Sequence, residues 1–228
     1  MDIIAALMAA SNSVVTPATV SYTASAVDAT DRNPANYTFS GQALGTAASD
    51  RKIVVGAQVF GNATYSLDSV TVAGISATRL VTVTSNSGGV DLVVELWQAS
   101  VPTGTTGDVV VSASSGNSSW CSVGVWAVYG AGASAYDTGS STANPMTDTL
   151  NIPANGVAIG FGASRDGTSY TWTNLTEDFD ALVETGLCWH SGASDEFASA
   201  QSALSITQDP ADASPTWRAF VLVSFNHA

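Results

Sequence analysis

WCSVGVWAVY, residues 120–129, decides the fold class. Side chains alternate across a strand. One side of this run would carry Trp120, Ser122, Gly124, Trp126 and Val128, and the other Cys121, Val123, Val125, Ala127 and Tyr129. No charge interrupts either side. The last such run, Trp217–Phe225, behaves alike: Trp217, Ala219, Val221, Val223 and Phe225 on one face, and Phe220 and Leu222 on the other. Strands that are apolar on both faces belong in the middle of a structure, covered from two sides.

Working outward, strand-like runs recur between turn signals. KIVVGAQVF (52–60) precedes Gly61-Asn62, and residues 69–72 meet Ala73-Gly74 and then 78–84, a hairpin pattern. VDLVVELWQ (90–98) runs into Pro102-Thr103-Gly104 and is followed by residues 108–113. No 3.6-residue apolar period persists beyond the N-terminal segment. Many short strands at regular spacing predict an all-β, antiparallel β-sandwich of jelly-roll type. Residues 17–228 are expected to form one sandwich domain, preceded by a short helical or extended segment over 1–16. GAGASAYDTGSSTANPM (130–146) reads as a long loop or a crossover between halves, and 11–35 as a polar, small-residue stretch. A division near residue 140 is the alternative; one sandwich is preferred because each half supplies few large apolar residues. No repeat of fixed period is visible.

The chain has 228 residues, 45% hydrophobic and only 11% charged, with a formal net charge of −13 and six Lys and Arg in all. That composition is globular rather than disordered. Nucleic acid and anionic membranes demand clustered cations, so neither is an expected partner. No apolar run approaches the ~18 residues of a membrane helix. Cys121 and Cys188 are too few for a disulfide scaffold. They read as two reduced thiols, with a Cys121–Cys188 bridge as the alternative.

Reactive constellations are missing. His190 and His227 are the two histidines, and no G-x-S-x-G elbow accompanies them. Cys188 and His190, two apart on an expected strand, would face the same side but lack an orienting third group. Glu177, Asp178, Asp180, Asp195 and Glu196 crowd together without an EF-hand pattern, and read as solvated carboxylates rather than a calcium site. Glu95, Glu177, Asp180 and Glu184 offer no recognisable glycosidase pair. No catalytic residue, metal site or cofactor is therefore expected.

Two features point to binding. Tyr170 and Trp172 lie beside the turn at Gly167 and are the aromatic candidates for stacking on a glycan; the other tryptophans fit core positions better. At the N-terminus, Ile3–Leu7 and Ile4–Met8 have the i, i+4 spacing of an apolar helix face. A helix that short is marginal alone. The segment either tucks against its own domain or docks Ile3, Ile4, Leu7 and Met8 into a neighbouring subunit. It carries Asp2 and no Lys or Arg, unlike the basic opening of a secretory signal.

DRKIVVGAQ (50–58), SVTVAGISATRLV (69–81), ASVPTGTTGDVVVS (99–112), SVGVWAVYG (122–130), PANGVAIGFG (153–162) and WTNLTEDFDALVE (172–184) together resemble an uncharacterised β-sandwich module of phage and prophage virion proteins, often from alphaproteobacterial hosts. The resemblance spans about residues 37–225 and rests on turn and strand signatures. It implies a virion structural protein of tail-fibre, spike or capsid-decoration type, made in the host cytoplasm and carried on the particle. Its implied partners are other virion proteins and further copies of itself. Host-surface glycan is the alternative ligand, as in a receptor-binding adhesin; a polysaccharide depolymerase is the third reading.

Overall fold

The structure is a computed structural model that describes residues 15–31, 36–61, 67–113, 118–165, 168–185, 187–211 and 215–228. All its regular structure is β, with no helix among the described residues. The first half holds β1 (Thr19–Asp28), β2 (Asn36–Ala43), β3 (Lys52–Gly61), β4 (Leu67–Val72), β5 (Ile75–Ser76), β6 (Thr78–Ser87), β7 (Val90–Ser100), β8 (Thr106–Ala113) and β9 (Ser118–Tyr129). The second holds β10 (Asp137–Ser141), β11 (Met146–Ile152), β12 (Gly156–Arg165), β13 (Tyr170–Thr173), β14 (Thr176–Glu184), β15 (Cys188–Phe197), β16 (Gln201–Pro210) and β17 (Trp217–Phe225).

These strands form four antiparallel sheets. The first half gives an outer sheet, β2-β8-β4-β5, and an inner sheet, β1-β9-β3-β7-β6. The second half gives an inner sheet, β10-β17-β12-β15-β14, and an outer sheet, β11-β16-β13. In each half the first strand neighbours the last and the second neighbours the penultimate, which is the wrapping of a jelly roll. Replacing β1, β2, β3, β4, β6, β7, β8 and β9 by β10, β11, β12, β13, β14, β15, β16 and β17 converts one set of strand orders into the other; β5 alone has no counterpart. The chain is one jelly-roll plan used twice. The antiparallel, jelly-roll-like β-sandwich expected from the sequence is built as a stack of four sheets, and the repeat lies in topology, with no fixed sequence period to reveal it. Residues 130–136 are the crossover between the copies.

Three apolar cores lie between the four layers. Tyr37, Phe39, Val70 and Val109 of the first outer sheet meet Ile53, Val55, Val93 and Val123. The two inner sheets meet through Val54, Leu92, Val94, Trp126 and Val128 on one side and Ile159, Phe161, Val221, Val223 and Phe225 on the other. Phe220, Leu222 and Ala158 meet Met146, Leu150 and Ile206 of the second outer sheet. Strands β3, β7, β9, β12 and β17 are thus covered on both faces, and this is why 120–129 and 217–225 have no polar side.

The inner sheets face each other with reversed order: the β6 edge lies over β17 and β10, and the β1 edge over β14 and β15. Small residues in one sheet receive large ones from the other. A Cβ on Gly56 would lie 2.4 Å from Cγ of Phe161, and one on Gly192 would lie 2.5 Å from both Phe179 and Trp126. Gly124 receives Phe179 as well. At one end of the stack Ala18 N donates to Asn155 O (2.9 Å), Gly132 N to Asn226 O (2.8 Å) and Ala228 N to Gly130 O (2.7 Å). The entry to β1, the crossover and the end of the chain meet there.

Candidate functional site

The aromatic pair Tyr170 and Trp172 sits on β13, the edge strand of the second outer sheet. Residues two apart on a strand share a face, and here that face is the inner one. Tyr170 is 4% exposed. Its hydroxyl donates to Ser164 Oγ (2.6 Å), and its backbone N–H to Asp180 Oδ2 (2.9 Å). Trp172 is half-buried; its ring lies over Gly160, and its Nε1 donates to Ser191 Oγ (2.7 Å). Both rings pack into the core, so the expected exposed stacking platform is corrected: a short strand, not the neighbouring turn, directs them. The docking candidates Ile3, Ile4, Leu7 and Met8 lie outside the described residues.

Cys188 and His190 do share a face, as their spacing predicts, and that face is the sealed seam between the inner sheets. Both cysteines are unbridged and buried; Cys121 belongs to the first core and Cys188 to the second. His190 is 0% exposed and is flanked edge-on by Phe161 and Phe179, with ring centroids at 6.0 and 5.0 Å. Burial lowers its pKa to about 3. An imidazole held neutral in an apolar wall, with no carboxylate to orient it, has neither the access nor the basicity of a general base.

The acidic run on β14 is organised by a bulge. Glu177 pairs with Ala193 and Phe179 with Gly192, so Asp178 is the extra residue. The bulge lets adjacent side chains reach the same place. Phe179 enters the seam. Asp178 stands at its rim, where Oδ2 accepts from Trp126 Nε1 (2.7 Å) and from Ser194 Oγ (2.7 Å). Burial raises the Asp178 pKa, and those two bonds oppose the rise. Next to it, Asp195 Oδ2 caps the backbone N–H of Thr176 (2.8 Å), and Glu196 Oε1 accepts from Val20 N on edge strand β1 (3.1 Å). Tyr22, stacked on Phe179 at 5.1 Å, closes the wall. Tyr22, Thr176, Asp178, Ser194, Asp195 and Glu196 line an open groove of about 540 Å³. It gathers three carboxylates, those of Asp178, Asp195 and Glu196. Its carboxylates are occupied as caps and acceptors, and among the described residues no three His, Cys, Asp or Glu side chains converge on a metal position. The hydroxyls of Ser194 and Thr176 are bonded to Asp178 and Asp195, and no histidine lines it. Glu95, far from this groove, is buried under Arg79, Thr82 and Trp97, which all bond its carboxylate.

The cations explain the surface. The described Lys and Arg side chains are each committed to the fold. Arg51, 1% exposed, donates to four backbone carbonyls, those of Val101, Gly45, Thr103 and Gly104, at 2.7–2.9 Å. Lys52 Nζ bonds Ala131 O at 2.5 Å. Arg79 pairs with Glu95 at 3.2 Å. Arg165 lies over the rings of Phe60 and Trp217, at 5.3 and 4.8 Å. Arg218 bonds the carbonyls of Ala143 and Pro215. Of these cations Arg79 alone is exposed, so carboxylate, hydroxyl and amide dominate the polar outer skin formed by the described residues. Sequence reasoning gave the net sign but missed this segregation. The signal was present in part: Arg51 sits in a turn-rich stretch facing another, Pro102-Thr103-Gly104, where carbonyls abound.

Compared with known proteins, the chain matches no family model, no curated protein and no solved structure.

Proposed function

We propose that this protein is a phage virion structural component, a decoration, spike or tail-tip accessory, that works by assembling with other virion proteins. The observation that carries the reading is the duplicated jelly roll: double-sheet jelly rolls recur in capsid and lectin domains, and here two are fused through a shared core. The sequence resemblance points the same way. The committed cations leave an acidic outer skin unsuited to nucleic acid. The histidine buried in the seam, and an acidic groove lined by no histidine and holding no metal cluster among the described residues, favour contact over catalysis. Tyr170 and Trp172, turned inward, lend no weight to glycan adhesion. Ile3, Ile4, Leu7 and Met8 are the docking contacts in this reading.

Mass spectrometry of purified particles tests it. The chain should appear in constant ratio to the major capsid or tail protein. Protein lacking residues 1–16 should fold, by circular dichroism, yet fail to load. Absence of the chain from particles overturns the structural role, and normal loading of the truncated form overturns the docking segment.

A further inference from the structure

The seam between the inner sheets is not uniformly apolar. Its side chains fall into layers set by strand register. In one layer Gly56, Gly124 and Gly192 are filled by Phe161, Phe179 and Trp126. Four residues along β3, Phe60 meets Trp120, Trp217 and Arg165. Between these two aromatic layers the alternation places Gln58 and its partner Ser122 on one sheet, and Ala163 and its partner His190 on the other. With β9 over β15 and β3 over β12, Ser122 faces His190 and Gln58 faces Ala163.

Gln58, Ser122 and His190 are each 0% exposed. Among the described residues, Gln58 Nε2 and Oε1, Ser122 Oγ, and His190 Nδ1 and Nε2 have no hydrogen-bond partner; Trp120 Nε1, two residues from Ser122 on the same face, has none either. Buried polar atoms in native proteins are nearly always satisfied, because each orphan carries its full desolvation cost. Three of the cross-strand neighbours are small, Ala163, Ala181 opposite His190 and Ala219 opposite Ala163, and the larger one is Val94 opposite Gln58. The chemistry of the set is mixed. The Gln58 amide nitrogen and the indole only donate, the Gln58 carbonyl only accepts, and the hydroxyl and neutral imidazole do both. A metal cation would collide with the donors and an anion with the acceptors. A small neutral molecule that donates and accepts fits every member.

We propose that this layer is a built internal site for water, bridging Gln58 and Ser122 of the first jelly roll to His190 of the second. Internal water typically makes about three hydrogen bonds to such groups, and this one joins the two copies through a polar contact that tolerates only one alignment of the sheets. The charged groups of the adjoining layers are Arg165, engaged with Phe60 and Trp217, and Asp178, bonded to Trp126; Cys188, on the same face as His190, is the neighbouring thiol. Asp180, on the strand beside His190, turns to the other core, where it accepts from Tyr170 N.

Water-selective nuclear Overhauser spectroscopy on the isotope-labelled full chain tests the site. His190 ring protons should show cross-peaks to a water that stays longer than a nanosecond. The Gln58→Leu/Ser122→Ala double variant should lose them. Ser122→Ala alone, the milder change, should weaken them while leaving the amide spectrum otherwise native, which covers failure of the double variant to fold. Cross-peaks that persist unchanged in a folded variant overturn the assignment of ligands. Wild-type protein with no long-lived water, and with imidazole nitrogen shifts reporting a direct bond to Gln58 or Ser122, overturns the site itself.

Discussion

Replacing His190 by Leu should make the protein markedly less sensitive to mild acid. The imidazole titrates near 6.5 in an unfolded chain and at about 3 in the fold, where burial excludes its charge. The unfolded state therefore binds the proton first. The stability contributed by keeping His190 neutral is complete above pH 6.5 and is lost progressively as pH falls from there towards 3. At pH 5 the folded group is still neutral, so the loss is set by the unfolded value alone: 1.5 units below 6.5, or about 2 kcal/mol. Carboxylates act with opposite sign. Glu95, Asp178, Asp180 and Glu177 have raised pKa values, chiefly through burial, so the folded state takes up their protons first and gains on acidification. Comparing wild type with His190→Leu cancels that background. Urea unfolding at pH 7 and pH 5 should show the wild type losing about 2 kcal/mol more than the variant over that interval. Equal losses in the two proteins would refute the reasoning, because they would mean that His190 is protonated in the fold or is not sealed in the seam.

Gly56→Ala should destabilise by about 1–3 kcal/mol in chemical unfolding, since its Cβ would enter the Phe161 ring and overpack the seam. Arg51→Met should cost about 3 kcal/mol or more, because four carbonyls lose a shared donor; a loss under half of that would show the clamp to be solvent-compensated. Trp126→Phe should lower stability by about 2 kcal/mol through loss of the bond to Asp178. It should also raise the Asp178 pKa, measurable by carboxyl carbon shifts. Neither Cys121 nor Cys188 should react with a thiol reagent in the native state, and both should react once the chain is unfolded.

The two-sided strands were legible because their apolar content is continuous: Lys52–Gly61, Val90–Ser100, Ser118–Tyr129 and Trp217–Phe225 all announce themselves. The edge strand Thr19–Asp28 was not, because TVSYTASAVD is small and polar, half-covered, and sits in a stretch that composition assigns to a loop. The duplication was hidden for a related reason. At the centre of the seam the corresponding strands β3 and β12 face each other, and the two sides of a packed contact must be complementary rather than alike. Gly56 is small because Phe161 is large, and Gly160 is small because Trp172 covers it. The candidate site was legible as a cluster of carboxylates but not as a groove, since the bulge that turns Asp178 and Phe179 together leaves no mark in the sequence. Tyr170 and Trp172 were misplaced because four residues of strand beside a turn look, in one dimension, like the turn.

The meeting of Pro17–Ala18, Gly130–Gly132 and His227–Ala228 at one extremity gives the molecule a polarity. The entry to β1 and the exit from β17 therefore share one pole, while the Phe60, Trp120 and Trp217 rings lie toward the other.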